Sequence, residues 1–164
     1  MDFYKKLVLT AVSLLLFSCA STTPTIDSET VVKLKRTACY GRCPVYTVIV
    51  KASGAVEYEG YEYVSAKGFQ TASLPKESID LIKAELTKAN FFKMKSNLDS
   101  GSWGCFMSAT DSSYVLIESS IQNRIKAVSV YLGCDSKQVY EVINLANYID
   151  QVIGTSKWVK EKAE

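Results

Sequence analysis

The amino terminus is the feature that most constrains where and how this chain folds. Lys5 and Lys6 precede an apolar run over residues 7–17, and Ser18 and Cys19 follow it. A charged start, a short apolar core and a small residue before a cysteine are typical of a bacterial lipoprotein signal. The run is too short to cross a bilayer as a permanent helix. We therefore expect the leader to be removed, the cysteine to be lipidated, and everything after it to fold outside the cytoplasm.

The expected location is the cell envelope, on the face of the outer membrane that looks into the periplasm. The signal peptide comprises residues 1–18, and residues 19–29 form a small, polar tether with one proline, a composition that favours a flexible spacer. Ala20 follows Cys19, so no aspartate-type retention signal is present, and no acidic cluster indicates export to the cell surface. The membrane is thus a partner through the N-terminal lipid, since several acyl chains anchor a protein firmly.

Length and charge limit the function classes. Without the leader, 146 of the 164 residues remain, enough for one domain with a real core and too few for two. We assign this domain to residues 30–158 and a charged tail to residues 159–164. Excluding Lys5, Lys6 and Asp2 from the totals of 19 basic and 17 acidic residues leaves 17 against 16. This balance predicts no attraction to nucleic acid, and the absence of histidine removes the commonest acid–base group at neutral pH.

Four cysteines remain once Cys19 is assigned to the lipid, namely Cys39, Cys43, Cys105 and Cys134. In an oxidising compartment an even set predicts two disulfides, and the sequence permits three connectivities. We favour Cys39 with Cys43 and Cys105 with Cys134. A metal site of four thiolates would need paired short spacings on both sides, and the second pair is 29 residues apart. Neither a metal nor a cofactor is therefore expected.

The hydrophobic pattern predicts an α+β domain. Short β-branched and aromatic runs with alternating polarity indicate strands, and apolar residues at helical spacing indicate two helices. The Asp135 and Gln138 pair resembles a capping box, and Gly154 is a natural end for the second helix. The order of elements favours an antiparallel sheet of about five strands with both helices packed on one face. The predicted strands are 31–37, 45–52, 55–59, 114–119 and 124–131, with further extended pieces at 61–64 and 69–73, and the helices are 75–89 and 135–153.

A long loop rich in Ser, Gly and Asp covers residues 95–113 and carries Trp103, Cys105, Phe106 and Met107. A loop of this length inside a compact domain is usually functional or pinned. Cys105 would pin it, and the aromatic residues could form an exposed surface for a protein partner.

One segment resembles a known family. It has the motif Arg36-Thr37-Ala38-Cys39-Tyr40-Gly41-Arg42-Cys43-Pro44-Val45-Tyr46. A strand, a Ser-Gly turn and Val-x-Tyr-x-Gly follow the motif, and the resemblance continues to Trp158. The chain is similar to an uncharacterised bacterial family, domain of unknown function 6438. The resemblance implies export or lipidation and no established activity, ligand or partner, and the Trp103-Gly104-Cys105 and Gly133-Cys134 segments look like a subgroup feature that supports their linkage.

Side chains around the first cysteine pair are candidates for ligand binding. Arg36 and Arg42 flank the pair, and Tyr40 and Tyr46 lie near it. Arginine can bind a carboxylate with two parallel hydrogen bonds, and tyrosine can stack on a sugar, so the group could bind a carboxylate or a glycan. The alternative is a solvated turn whose tyrosines cover the sheet, because tyrosines at strand spacing usually pack.

Asp111 is a second candidate, either as a Ca²⁺ ligand or as a base, with Asp99 on the same loop. The alternative, which we favour, is a turn residue bonded to its own backbone, since aspartates in Ser/Thr-rich turns usually act in this way.

Catalytic arrangements are weakly supported. Cys39 and Cys43 could form a thiol–disulfide redox centre, but three residues separate them and a strand follows, whereas a thioredoxin-type centre has two residues between its cysteines and a nearby helix N-terminus. Glu57 and Glu59 lie on one face of a strand and do not oppose each other across a cleft as a glycosidase pair would. A Gly-x-Ser-x-Gly elbow is also missing.

The sequence therefore favours a non-enzymatic binding or accessory module held at the envelope, with an envelope protein or a glycan as its partner. Two alternatives stay open. One is a thiol–disulfide redox protein that uses Cys39 and Cys43. The other is a small inhibitor or chaperone that uses the Trp103 loop, for which exposure of Trp103, Phe106 and Met107 would be the supporting observation.

Overall fold

The computed structural model describes residues 27–105 and 107–160. The predicted signal peptide, the lipidation site Cys19, residues 20–26 of the tether, Phe106 and residues 161–164 lie outside the described residues. Among the described helices, none is both long and apolar enough to span a membrane.

A mixed sheet forms one layer of the molecule. Its strands are β1 Thr30–Arg36, β2 Val45–Lys51, β3 Ala55–Glu62, β4 Gly68–Ser73, β5 Asn97–Leu98, β6 Tyr114–Ile121 and β7 Arg124–Tyr131. The strand order is β4-β3-β2-β1-β6-β7-β5, and every neighbouring pair is antiparallel except β5 and β7. Four of the antiparallel pairs, β1–β2, β2–β3, β3–β4 and β6–β7, join strands that are consecutive in the chain.

Three helices complete the described fold: α1 Lys76–Lys88, α2 Lys137–Ile153 and α3 Ser156–Val159. The predicted helical stripes are buried, with Ile79, Ile82 and Leu86 inward on α1 and six residues inward on α2. α2 ends at Gly154, whose φ of 71° is the left-handed conformation that glycine adopts readily. The buried residues of α2 are Val139, Val142, Leu145, Ala146, Ile149 and Ile153.

The core lies between the helices and one face of the sheet. Alternate residues of the central strands are buried, as in Val32 and Leu34 of β1 and Val48 and Val50 of β2. The intervening residues are more accessible. This is the one-sided antiparallel sheet that the alternating pattern predicts, and it confirms the α+β class.

The predicted number of strands is wrong, because the sheet has seven strands instead of about five. The piece at residues 69–73 is a full edge strand, β4, that pairs with β3 from Ala55 to Gly60. β5 has only two residues and lies inside the 95–113 loop. A two-residue strand has no periodicity that sequence patterns can reveal, and its parallel pairing to β7 depends on tertiary contacts.

The predicted capping box at the start of α2 is also absent. Ser136 occupies the N-cap position and its side chain makes no capping hydrogen bond. The Gln138 amide instead bonds both backbone groups of Lys95, accepting from the Lys95 N–H at 3.0 Å and donating to its carbonyl at 2.9 Å. Gln138 therefore holds the start of the 95–113 loop against α2.

Two disulfides brace the fold. Cys39 is bonded to Cys43, and Cys105 to Cys134, with Cα–Cα distances of 5.7 and 5.4 Å. These are the two pairs favoured from the sequence. The first closes the turn between β1 and β2, and the second fixes the long loop to the segment between β7 and α2.

Candidate functional site

A cleft of about 530 Å³ opens where β1 ends and β2 begins, beneath the carboxyl end of α2. Arg36 and Tyr46 are opposite each other in the β1–β2 register, and both continue the inward-facing alternation of their strands. Two inward polar side chains therefore lie at the rim of the core, below a helix end. The lining residues are Arg36, Pro44, Tyr46, Asn147, Asp150, Gln151, Gly154, Thr155, Ser156, Val159 and Lys160.

A network centred on Asp150 forms the floor of the cleft. Arg36 Nε and Nη2 donate to Asp150 Oδ2 at 3.0 and 2.7 Å, and Nη2 also donates to Asn147 Oδ1 at 2.9 Å. Tyr46 Oη accepts from Arg36 Nε at 2.9 Å and donates to Asp150 Oδ2 at 2.7 Å. Thr155 Oγ1 donates to Asp150 Oδ1 at 2.8 Å. The network ties α2 to both strands.

Burial and charge fix the protonation states of this network. Burial raises the pKa of Tyr46, and the negative charge of Asp150 raises it further. Burial lowers the pKa of Arg36, but Tyr46 and Asp150 raise it by more, so the net direction is upward. At neutral pH the site therefore contains a charged guanidinium and a neutral phenol.

Several hydrogen-bond donors of the cleft have no acceptor within the described residues. Asp150 Oδ2 already accepts three bonds and Oδ1 one. No described residue accepts a bond from Arg36 Nη1 or from the side-chain amide N–H groups of Asn147. Lys160 adds a cation at the rim and makes no ion pair within the described residues. An acceptor-rich, negatively charged group fits this arrangement.

The predicted binding residues do not form one cluster. Arg36 and Tyr46 meet in the cleft, whereas Arg42 lines a second cavity beside it. Tyr40 is 90% exposed, and its backbone N–H donates to the carbonyl of Asp111 at 2.9 Å. Asp111 has a φ of 63°, a turn conformation that aspartate tolerates.

Trp103 lies elsewhere, on the loop beside the amino end of α2. It is 81% exposed, Met107 on the same loop is 72% exposed, and the Trp103 carbonyl accepts a bond from Lys95 Nζ at 3.1 Å. Trp103 therefore does not belong to the cleft.

The sequence analysis missed Asp150, Asn147 and Thr155. The first two lie on the polar side of α2, which as a sequence pattern is indistinguishable from a solvated face. The strands did carry a signal for this network. Arg36 and Tyr46 each lie two residues from a buried apolar side chain, Leu34 and Val48, and therefore on the inward face of their strands. A charged residue in such a position needs a partner, and α2 was the element available to supply one.

No metal centre is found within residues 27–105 and 107–160, where no three Cys, Asp or Glu side chains are grouped to hold an ion. The Cys39–Cys43 turn leads directly into strand β2. No described helix begins beside it in the chain to lower the pKa of a thiol, which a redox centre of the thioredoxin kind uses.

The cleft lies at the far end of β1 from the point where the described chain enters the sheet. Thr30 begins β1 and Arg36 ends it, so the described chain enters at one end of the strand and the cleft opens at the other. A strand of seven residues spans about 20 Å at about 3.3 Å per residue.

Comparison with known protein families identifies the family of this chain. The model for the family called domain of unknown function (DUF6438) matches residues 30–153. The chain belongs to this family. The match includes Arg36, Tyr46, Asn147 and Asp150 and stops before α3. A search of curated proteins finds no match to the chain.

Proposed function

We propose that this chain is a lipid-anchored, non-enzymatic binding module of the bacterial envelope, and that the cleft at the ends of β1 and α2 binds a carboxylate-bearing ligand. The observation that carries the proposal is the donor-rich floor of the cleft, where Arg36 is fixed in place by Asp150, Tyr46 and Asn147.

The ligand class follows from charge and hydrogen bonding. A fixed guanidinium is preorganised, so a ligand does not have to pay for ordering that side chain. Arg36 and Asn147 both line the cleft, and Lys160 adds a positive charge. Carboxylates accept several charge-assisted hydrogen bonds at once, and a carboxylate-bearing sugar would also use the Gln151 and Ser156 side chains.

Binding is better supported than catalysis. Asp150 is the carboxylate among the described residues that line the cleft, and its oxygens accept from Arg36, Tyr46 and Thr155. A general base needs a free lone pair and a pKa near neutrality. Burial moves the pKa of Tyr46 upward, so the phenol stays protonated at neutral pH and has no deprotonated form to act as a base.

The orientation of the cleft suits an anchored protein. With the lipid on Cys19 and the tether joining the domain near Thr30, the cleft lies at the end of β1 opposite the attachment point. The domain would then present its binding end to the periplasm or to the polymer mesh within it.

Calorimetric titration of the purified mature protein tests the ligand class, with N-acetylmuramic acid as the carboxylate probe and N-acetylglucosamine as its neutral counterpart. We expect the acid to bind and the neutral sugar to bind at least tenfold more weakly. Asn147→Ala combined with Lys160→Ala should lower the affinity for the acid about tenfold without unfolding the domain, because both side chains lie at the surface of the cleft. Equal affinity for the two sugars would contradict the proposal.

Mass spectrometry of the amino-terminal peptide tests the anchor. We expect a diacylglyceryl thioether on Cys19 and membrane association that is lost in Cys19→Ala. An uncleaved leader with a free thiol at Cys19 would contradict the envelope location.

The exposed loop favours a second candidate function, that of a small inhibitor or chaperone. Trp103 and Met107 are 81% and 72% exposed, and large exposed apolar side chains on one loop are common in protein-binding surfaces. If this function holds, the protein should delay the aggregation of reduced α-lactalbumin, and Trp103→Ala with Met107→Ala should abolish the delay. Unchanged aggregation with the native protein would exclude this activity for that client.

A further inference from the structure

We propose that the ligand of the cleft is an acidic oligosaccharide with at least two anionic groups, which extends from the cleft across Val159 into a second cavity. This inference rests on the proposed function, because the first anionic group occupies the cleft. It adds the length and charge of the ligand and a second set of binding residues.

The second cavity adjoins the cleft. It has a volume of about 440 Å³ and is lined by Arg42, Tyr63, Val64, Lys67 and Val159. Val159 lines both cavities, so a chain that leaves the cleft over this side chain enters the second cavity directly. Each volume is in the range of small-molecule sites, and the two together suit a ligand longer than one sugar.

The cations along this path lack protein partners. Arg42, Lys67 and Lys160 make no ion pair or side-chain hydrogen bond within the part of the chain that the structure describes. Other lysines are paired: Lys51 lies 2.6 Å from Asp27, and Lys33 lies 3.1 Å from Glu118. Three unpaired cations around two joined cavities create a local positive potential in a nearly neutral chain.

The walls of the second cavity are held firmly. The backbone N–H of Ala66 and the hydroxyl of Ser65 both donate to the carbonyl of Trp158, at 2.8 and 2.7 Å. Gly60 permits this packing, because a Cβ there would collide with the carbonyl of Ala66. On the opposite side, the Cys39–Cys43 bond closes the turn that carries Arg42. Fixed walls lower the entropy cost of binding.

Tyr63 gives the cavity a surface for a sugar ring. Its side chain is 48% exposed and its φ is 51°, a conformation that bulky residues rarely adopt. Such strained residues often occur at ligand clamps. An exposed aromatic face with a hydroxyl at its edge can pack against a sugar and also bond it.

The probes that separate this inference from simple carboxylate binding are galacturonic acid and its dimer, trimer and tetramer, titrated into the full mature protein. We expect the affinity to rise at least tenfold from the monomer to the trimer, and to fall more steeply with salt for the trimer. Arg42→Ala with Lys67→Ala should remove the gain with length and leave the affinity for the monomer within twofold.

The matched control is Lys83→Ala with Lys93→Ala, which removes the same charge from positions that line neither of the two cavities. This control should leave the affinities for the monomer and the trimer within twofold of those of the native protein. If the control variant loses as much affinity for the trimer as Arg42→Ala with Lys67→Ala does, the effect is a diffuse electrostatic attraction. That result would overturn the inference.

The two proposals fail in different ways. If the monomer binds through Asn147 and Lys160 but the trimer binds no more tightly, the proposed function stands and the extension is wrong. If no galacturonate binds but N-acetylmuramic acid does, the extension is wrong and the proposed function stands. If neither acid binds, or if binding ignores Asn147 and Lys160, the cleft itself is not the site and both proposals fall.

Discussion

The two ends of α2 are attached to the rest of the fold in different ways. At the carboxyl end, Asp150 bonds Arg36 and Tyr46 from two strands. At the amino end, the Cys105–Cys134 disulfide just before the helix and two hydrogen bonds between Gln138 and Lys95 hold it to the long loop. The first attachment is polar and open to a cleft, whereas the second contains a buried covalent bond.

This difference in exposure distinguishes a candidate binding site from a structural cross-link. Cys105 and Cys134 are 1% and 3% exposed, so their bond is sealed from solvent and offers a ligand nothing. The side chains of Arg36 and Asp150 are 20% and 16% exposed, enough for a ligand to reach the unused donors. The Asp150 network both stabilises the fold and faces solvent, so it is a better candidate for function than the buried disulfide. Predictions about the two ends of α2 test this conclusion.

Removal of the buried bridge should have the largest effect. Cys105→Ser with Cys134→Ser opens a loop of 29 residues and should lower the free energy of unfolding by about 3.6 kcal/mol on the chain-entropy estimate. Urea unfolding of the mature protein measures it. Affinity for N-acetylmuramic acid should stay within twofold, because the cleft is at the other end of α2.

The half-buried Cys39–Cys43 bridge is the comparison for that experiment. Cys39→Ser with Cys43→Ser opens a much shorter loop and should cost about 2 kcal/mol. An equal loss from the two double variants, or none from either, would contradict the view that the buried pair is the main brace.

The next largest loss of stability should come from a change at the carboxyl end of α2. Asp150→Ala leaves Arg36 partly buried without its carboxylate and should lower the free energy of unfolding by about 3 kcal/mol. Asp150→Asn keeps one acceptor and should cost less. In contrast to removal of the buried bridge, both changes should also weaken ligand binding, because Arg36 loses its fixed position.

Asp80→Ala is the control for this change. Asp80 is 2.6 Å from Lys76 on the surface of α1, and exposed pairs contribute little. We expect no measurable change in unfolding or binding. A loss as large as that of Asp150→Ala would mean that the polar network has no special role.

The contrast between the two ends of α2 also explains which features could be predicted from the sequence. Strand alternation and helical stripes predicted the class and the core, because both are local periodicities. The even number of remaining cysteines and the expected oxidising compartment predicted two disulfides. The network of Arg36, Tyr46 and Asp150 was not predictable, since more than 100 residues separate Asp150 from the other two along the chain and only the topology brings them together. Arg36 and Tyr46 were identified as candidates, but their partner on α2 was not.

A smaller effect should follow from Tyr46→Phe, which removes one donor to a charged acceptor and should cost about 1.5 kcal/mol. Because burial and Asp150 raise the pKa of Tyr46 above its usual value of 10.0, folding favours the protonated phenol. Its contribution is complete below about pH 10 and is lost as the pH rises above that value. The native protein should therefore lose stability more steeply than the variant between about pH 10 and 12.

Urea unfolding at a series of pH values measures that slope. Tyr40→Phe, at a side chain 90% exposed, is the matched control and should follow the native curve. Identical slopes for Tyr46→Phe and the native protein would show that the phenol is not held by Asp150.

The smallest effect on stability is expected at the amino end, for Trp103→Ala. The Trp103 side chain is 81% exposed, and changes at such positions usually alter the free energy of unfolding by less than about 0.5 kcal/mol. The bond that Lys95 makes is to the Trp103 backbone and survives the change. Trp158, the other tryptophan, is buried and stacks on Tyr58 with ring centroids 4.7 Å apart.

Fluorescence gives a direct measurement at this position. Since the chain has two tryptophans, the variant reports Trp158 alone, and its emission should shift to shorter wavelength and resist quenching by acrylamide. An unchanged spectrum would mean that Trp103 is covered in solution. In that case a ligand or a second protein surface shields the loop, and the amino end of α2 would be a binding surface in addition to the brace that the disulfide provides.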